Sequence, residues 1–338
     1  MWTLILNIFL LVLGLALLIK GADWFVDGSA GIAKKCGVPS LIVGLTIVAF
    51  GTSAPELCVS IASAVQHYTD IAIGNVVGSN ITNILLILGV SALIHDLPVS
   101  KDSLKIDLPV LLLASVLLVG LGAWGNAIEW WDGIILLVVL VLYMTFLITK
   151  AMRTMKEQKR LAPLPPVEEE PKEAHGKVKT WYLGMCKKVW FLLVLTAVGL
   201  GMVVGGGTLL VNNARAIAEY FGVSERIIAL TVVAIGTSLP ELVTSVIAAA
   251  KGETDIAVGN IIGSNIFNIL FIAGLSSCVY PLPFVIDKNL VDALVALAAA
   301  VLLFVLALLP KRKIGKIGGI IMLTCFIGYY VYLFLMPA

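Results

Sequence analysis

The sequence predicts an all-α integral membrane protein of ten transmembrane helices, arranged as two inverted-topology five-helix repeats. Three observations carry that prediction. Of 338 residues, 60% are hydrophobic and only 13% are charged, about half the charged share of a soluble domain. The charges are also clumped: ten basic and five acidic residues lie between Lys150 and Lys188, which leaves 29 for the other 299 positions. Finally, residue n aligns with residue n+185 without a gap, with 24 identities in the 40 positions from Thr46 to Leu85.

Apolar runs that reach the ~20 residues needed to cross a bilayer place spans at 3–33, 39–65, 70–94, 106–123, 129–150, 189–220, 226–250, 255–279, 290–309 and 315–336. The first run, Leu4 to Ile19, has no basic start and continues into a semi-polar helix, so it reads as a mature span and not a cleaved signal. Between the fifth and sixth spans, Pro163, Pro165, Pro166 and Glu168 to Glu170 mark a solvated linker. The expected units are a first repeat at 1–150, a linker at 151–188 and a second repeat at 189–338. Gly37-Val38 and Asp107 recur as Gly222-Val223 and Asp292. Five crossings per repeat force the second repeat to enter from the opposite face, as in secondary transporters built from inverted repeats.

Nineteen of the 23 basic residues fall in the linker and the other odd-numbered loops. The positive-inside rule makes those loops cytoplasmic in a cell membrane, with both termini outside. A net charge of +2 without a basic stripe argues against a nucleic-acid partner. Five cysteines without a C-x-x-C pair suggest neither a disulfide framework nor a zinc site.

Acidic residues inside the spans are few. Gly51-Thr52-Ser53-Ala54-Pro55-Glu56 and Gly236-Thr237-Ser238-Leu239-Pro240-Glu241 each put a glutamate near the middle of a hydrophobic run, where a charge costs at least ~3 kcal/mol on insertion scales. Pro55 and Pro240 release the carbonyls of Gly51 and Gly236 from helical bonding, and free carbonyls at that depth are tolerated only where they line a cavity. Ser53, Glu56 and Ser60 share a helix face, as do Ser238, Glu241 and Ser245. The third and eighth spans add Asn75, Ser79, Asn80 and Asn83, matched by Asn260, Ser264, Asn265 and Asn268. Such Ser/Asn pairs also occur as packing contacts between helices; their repetition beside the glutamates favours binding. Asn75, Asn80, Asn260 and Asn265 are expected to support the site instead of ligating. The donors are all oxygen, which suits hard cations, and Ca2+ with its ~6 to 8 ligands better than Mg2+. The chemistry calls for no catalytic residues and no cofactor.

These paired stretches resemble the alpha repeats of the sodium/calcium exchanger branch of the calcium:cation antiporters. The resemblance implies a central Ca2+ site of Glu56, Glu241 and the Thr52 and Thr237 carbonyls. It also implies flanking Na+ sites, one using Ala49, Thr52, Ser53 and Ser79 and the other Ala234, Thr237, Ser238 and Ser264. Some relatives, including the potassium-dependent branch, carry aspartate where this chain has Asn268; with Asn83 and Asn268 both neutral, K+ coupling is not expected. The function expected is Na+/Ca2+ antiport by alternating access, electrogenic with about three Na+ per Ca2+. An H+/Ca2+ exchanger, a cation channel and an intramembrane hydrolase are the alternatives. Outside the site, Asp70 and Asp255 are expected as helix N-caps, and Lys20, Asp23 and Asp27 as a salt bridge within the first helix.

Overall fold

Uninterrupted apolar sequence yields long helices. The computed structural model describes residues 2–161, 188–222, 236–285, 289–309 and 312–335. Its helices are α1 (Trp2–Cys36), α2 (Ser40–Thr52), α3 (Ala54–Val65), α4 (Thr69–Ile94), α5 (Ser103–Gly125), α6 (Trp130–Leu161), α7 (Val189–Tyr220), α8 (Leu239–Ala250), α9 (Thr254–Val279), α10 (Val291–Leu308) and α11 (Lys316–Leu335). Among the described residues eight of these are long and apolar enough to cross a membrane, and α2 with α3 makes a ninth crossing bent by 47°. Of the expected span at 226–250 only the second half, α8, lies within the described residues. This is a multi-pass, almost wholly helical membrane protein.

Local sequence explains most boundaries. α1 stops at Gly37, whose φ of +68° is open to glycine, and its repeat mate Gly222 ends α7 at φ +75°. α6 runs to Leu161, past the expected end at 150; Arg153, Lys156, Lys159 and Arg160 are good helix formers, so the helix continues after the apolar stretch ends. Residues 162–187 of the expected linker lie outside the described set. Asp70 and Asp255 do not cap: α4 and α9 begin one residue earlier, Tyr68 and Glu253 hold the cap positions, and the aspartates sit within the first turn.

The two asparagine-bearing spans form the interior. The most apolar window of α9 is 94% buried and that of α4 72%, whereas that of α1 is only 11% buried. Lipid solvates an apolar helix as well as protein does, so the helices that carry asparagine and serine go inside. Both buried helices widen into a π-helical turn at matching places, Thr82–Leu88 in α4 and Asn268–Ala273 in α9.

Two short antiparallel pairs show the symmetry directly. β1 (Leu97–Pro98) joins β4 (Lys313–Ile314), and β2 (Ala127–Ile128) joins β3 (Leu282–Pro283). β1 and β3 are repeat mates, and so are β2 and β4, so a two-fold operation exchanges the two pairs. β1 with β4 lies at the end of the molecule where α6 leaves the described chain and α7 begins, here called the linker face. That face also carries the Lys150–Asp102 ion pair (2.9 Å) and the Lys313–Asp96 ion pair. Lys313 holds the Asp96 carboxyl below the usual aspartate range. The far face carries β2 with β3 and the contact of His67 with Tyr280, ring centres 4.2 Å apart.

Repeat-related hydrogen bonds, Tyr143 to Asp107 (buried) and Tyr329 to Asp292 (part-buried), both 2.9 Å, join α5 to α6 and α10 to α11. The Lys20–Asp23 pair at 2.5 Å is within α1, as expected, but Asp23 and Asp27 also bind Lys251 at the end of α8, at 2.6 and 2.5 Å. The cluster is therefore interhelical, because α8 ends beside the middle of α1.

α1 and α7 pack antiparallel along a glycine seam. A Cβ on Gly206 would lie 2.6 Å from Leu18 N and 2.8 Å from Gly14 O, both backbone atoms of α1. Gly206→Leu must separate the two helices, and is expected to destabilise the protein by about 1–3 kcal/mol. Thermal unfolding in detergent checks this against Gly201→Leu, where a Cβ meets nothing within 4 Å and the midpoint should hardly move.

Candidate functional site

The chain breaks at Ser53, between α2 and α3, and again at Ser238 just before α8. Proline at the start of each new helix fits there, since a first-turn residue has no intrahelical N–H bond to lose. Glu56 and Glu241 therefore fall in the first turns of α3 and α8, where unpaired N–H groups and the helix dipole favour a negative charge. Both glutamates are 1% exposed.

Each is held by the opposite repeat. Ser53 Oγ donates to Glu241 Oε1 at 3.0 Å, and Ser238 Oγ donates to Glu56 Oε1 at 3.2 Å. Ser79 Oγ, on α4, lies 3.5 Å from Ser238 Oγ, and Ser264 Oγ, on α9, lies 3.5 Å from the carbonyl of Ala49 on α2. The hydroxyls thus fall into two groups that cross the repeats: Ala49, Ser53, Ser264 and Glu241 in one, Ser79, Ser238 and Glu56 in the other. These contacts differ from the partition implied by the resemblance, which kept Ser79 with Ala49 and Ser264 with Ala234. Inverted repeats interlock, so each broken helix faces the asparagine-bearing helix of its mate. Close approach makes this feasible, since a Cβ on Gly263 would lie 2.7 Å from both Leu45 O and Ala49 Cβ.

Around this centre the asparagines act as struts. Asn75 Nδ2 donates to Ser60 Oγ (2.9 Å) and to the Glu56 carbonyl (3.1 Å), and Asn260 Nδ2 donates to Ser245 Oγ (2.8 Å). Thr52 Oγ1 lies 3.1 Å from both Val48 O and Asn260 Oδ1. Asn268 Nδ2 donates to Asn80 Oδ1 at 3.2 Å. Asn83 and Asn268 are fully buried in the π turns. Thr237 is half-buried, and Ala234 lies outside the described residues.

Several buried oxygens meet no donor among the described residues: Glu56 Oε2, Glu241 Oε2, Asn83 Oδ1, Asn265 Oδ1, Asn268 Oδ1 and Thr244 Oγ1. Buried polar atoms are normally paired. Unpaired acceptors that include an oxygen of each carboxylate, with no imidazole or thiolate in the set, have the character of a hard-cation site. Thr244 escaped the sequence reading although it follows Glu241 by three residues, on the same helical face. A cavity of about 220 Å3 runs along α3 and α7 from Pro55, Thr237 and Pro240 to Asn212 and Arg215, toward the far face.

The profile described as "Sodium/calcium exchanger protein" matches residues 6–149 and 191–335, one match in each repeat. The chain belongs to the sodium/calcium exchanger family. It is similar to the protein CaxA of Alkalimonas amylolytica, 41% identical over 335 residues that cover 98% of this chain and 99% of that one. It is also similar to the sodium/calcium exchanger MaX1 of Methanosarcina acetivorans, 33% identical over 97% of this chain and 98% of its counterpart. Among solved structures, the sodium-calcium exchanger NCX_Mj soaked with Na+ and Ca2+ superposes with a TM-score of 0.80 at 33% identity, over 99% of both chains. The exchanger family is one of transporters embedded in membranes, with ions as substrates.

The struts should matter for stability as well as for the site. Asn260→Ala leaves Ser245 and Thr52 short of a partner in a fully buried position, a loss of about 1–3 kcal/mol. Asn75→Ala, whose position is only part-buried, is expected to cost less, and thermal unfolding of the two variants in detergent checks the order.

Proposed function

We propose that the protein exchanges Na+ for Ca2+ by alternating access, electrogenically, with about three Na+ per Ca2+ and without K+. One observation carries the reading: two buried glutamates, each held through one oxygen by the opposite repeat, keep the other oxygen without a donor among the described residues. Two bidentate carboxylates and the carbonyls of Thr52 and Thr237 supply six oxygens, within the range Ca2+ takes. Na+ then occupies the two groups of hydroxyls on either side: Ala49, Thr52, Ser53, Ser264 and Glu241 for one ion, and Ser79, Ala234, Thr237, Ser238 and Glu56 for the other. Asn83 and Asn268 complete the shell with neutral oxygens. The residues divide into a first repeat at 1–150, a linker at 151–188 and a second repeat at 189–338.

Charge makes the coupling. Empty, the site carries two negative charges; Ca2+ neutralises it, and three Na+ leave one positive charge. Moving the doubly negative site past hydrocarbon is the costly step, so access changes when the site is loaded and neither ion leaks alone. α1 and α7, packed on each other and largely outside the core, slide across α3, α4, α8 and α9 to change access. The cation-rich linker face is cytoplasmic by the positive-inside rule, which puts the termini and the far face outside.

Uptake of radioactive Ca2+ into Na+-loaded proteoliposomes tests the reading, with the outside medium varied between Na+, K+ and choline. Uptake should follow the outward Na+ gradient at fixed pH and be indifferent to K+. Uptake driven by a pH gradient alone would replace the reading with H+/Ca2+ exchange, and single-channel currents would replace it with a channel. Glu56→Gln and Glu241→Gln should each abolish uptake, since each removes half of the site's charge.

The regrouped hydroxyls give a second test. Ser53→Ala and Ser264→Ala touch one Na+ group and are expected to be non-additive in apparent Na+ affinity, whereas Ser53→Ala and Ser79→Ala touch different groups and should add within about 0.5 kcal/mol. A double-mutant cycle on Na+ dependence of exchange distinguishes the two patterns.

A further inference from the structure

The inverted repeat shows where a counterpart of the far-face cavity belongs on the linker face. Val59 and Val211 line the far-face cavity with Thr208 and Asn212. A shift of 185 residues carries these four to Thr244, Val26, Asp23 and Asp27. Val26 and Thr244 have no exposed surface, so the equivalent route from the site toward the linker face is closed.

Lys251 lies across the mouth of that closed route. Its Nζ is 2.5 Å from Asp27 Oδ1, 2.6 Å from Asp23 Oδ1 and 3.0 Å from the Asp23 carbonyl, and Lys20 holds the other oxygen of Asp23 at 2.5 Å. Burial opposes the Lys251 charge, but the two carboxylates outweigh burial and keep its pKa above that of an ordinary lysine. The contacts tie α1 to the end of α8, two elements that separate when α1 slides. No such tie can form at the equivalent place on the far face: the mate of Lys251 is Gln66, and the mates of Asp23 and Asp27 are the neutral Thr208 and Asn212.

We propose that Lys251, clamped by Asp23 and Asp27, is the closed gate of the ion pathway on the linker face, and that its absence from the far face makes the two access states unequal. The proposal rests on the alternating-access reading given above. Lys251 is a positioning residue that closes the helix opened by Glu241 and acts through α1. When the gate parts, the same two aspartates line the linker-face route where Thr208 and Asn212 line the far-face one. A cation arriving at the linker face then meets two carboxylates at the positions where the far-face route has Thr208 and Asn212.

Labelling of single thiols tests the gate without requiring transport. In a chain whose five cysteines are replaced by serine, Val26→Cys reports the linker-face route and Val211→Cys the far-face cavity, with a membrane-impermeant thiol reagent applied to each face of sealed vesicles in turn. Lys251→Gln should speed labelling of the Val26→Cys thiol from the linker face roughly fivefold, the upper range for loss of partly exposed ion pairs, and slow that of the Val211→Cys thiol. Asp23→Asn with Asp27→Asn should do the same from the other side of the clamp. The charge swap Lys251→Asp with Asp27→Lys should return labelling toward the parental rate. Unchanged labelling of the Val26→Cys thiol in both clamp-breaking variants overturns the proposal. Retained Na+-driven Ca2+ uptake in those variants shows that they are folded. If the parent shows no Na+-driven uptake, it is the exchange reading that fails, and the labelling result stands apart from it.

Discussion

A carboxylate placed at bilayer depth has to be answered by other groups in every state the protein visits, and the architecture follows from that constraint. Glu56 and Glu241 are each met by a helix N-terminus from their own repeat and a serine hydroxyl from the other. The helix breaks at Ser53 and Ser238 exist to place those N-termini at mid-membrane. Glycines at the crossing of α2 with α9 let the hydroxyls reach. The two spans that carry the asparagines, α4 and α9, lie innermost, because only protein can supply the remaining hydrogen bonds. Neither repeat is complete without the other: each glutamate lacks a hydroxyl that only its mate provides.

Much of this was legible in the sequence, and the reasons are physical. Hydrocarbon thickness fixes span length, so most described spans could be placed within a few residues; the end of α6, eleven residues past the expected 150, is the exception. Duplication at a constant offset exposed the paired motifs, because charge at that depth is rare enough to stand out. What stayed hidden was pairing between distant elements. Periodicity along one helix puts Ser53 and Glu56 on a common face but cannot reveal that Ser53 serves Glu241. A one-residue slip concealed another pair: Asp107 and Asp292 are 185 apart, whereas their partners Tyr143 and Tyr329 are 186 apart, as are β2 and β4. The additional residue lies between α10 and α11, outside the window where the repeats were compared. Lys20, Asp23 and Asp27 read as a closed set until the fold brought Lys251 to them.

Symmetry of fold and asymmetry of charge coexist here. Among the described residues the two repeats correspond down to the exchange of β1 with β3 and of β2 with β4. The side chains at the two mouths of the pathway do not follow: acids and a lysine at the linker face, neutral residues and Arg215 paired with Glu219 at the far face. Inverted repeats alone would give two conformations related by the two-fold axis and equal in energy. Substitutions at a few mouth positions remove that degeneracy while leaving the ligands untouched, so resting preference and ion selectivity can drift separately.

The glycine seam between α1 and α7 has a mechanical consequence. Its contacts run from Gly14 against Leu210 to Gly28 against Thr196, close to half the length of both helices, with backbone on backbone and few protruding side chains to act as a hinge. Two helices joined that closely move as one plank. One end of the plank covers one mouth and the opposite end covers the other, so uncovering either is the same displacement as covering its counterpart. A doorway open at both ends would require the plank to split, and an airlock results with no sensor to coordinate its doors.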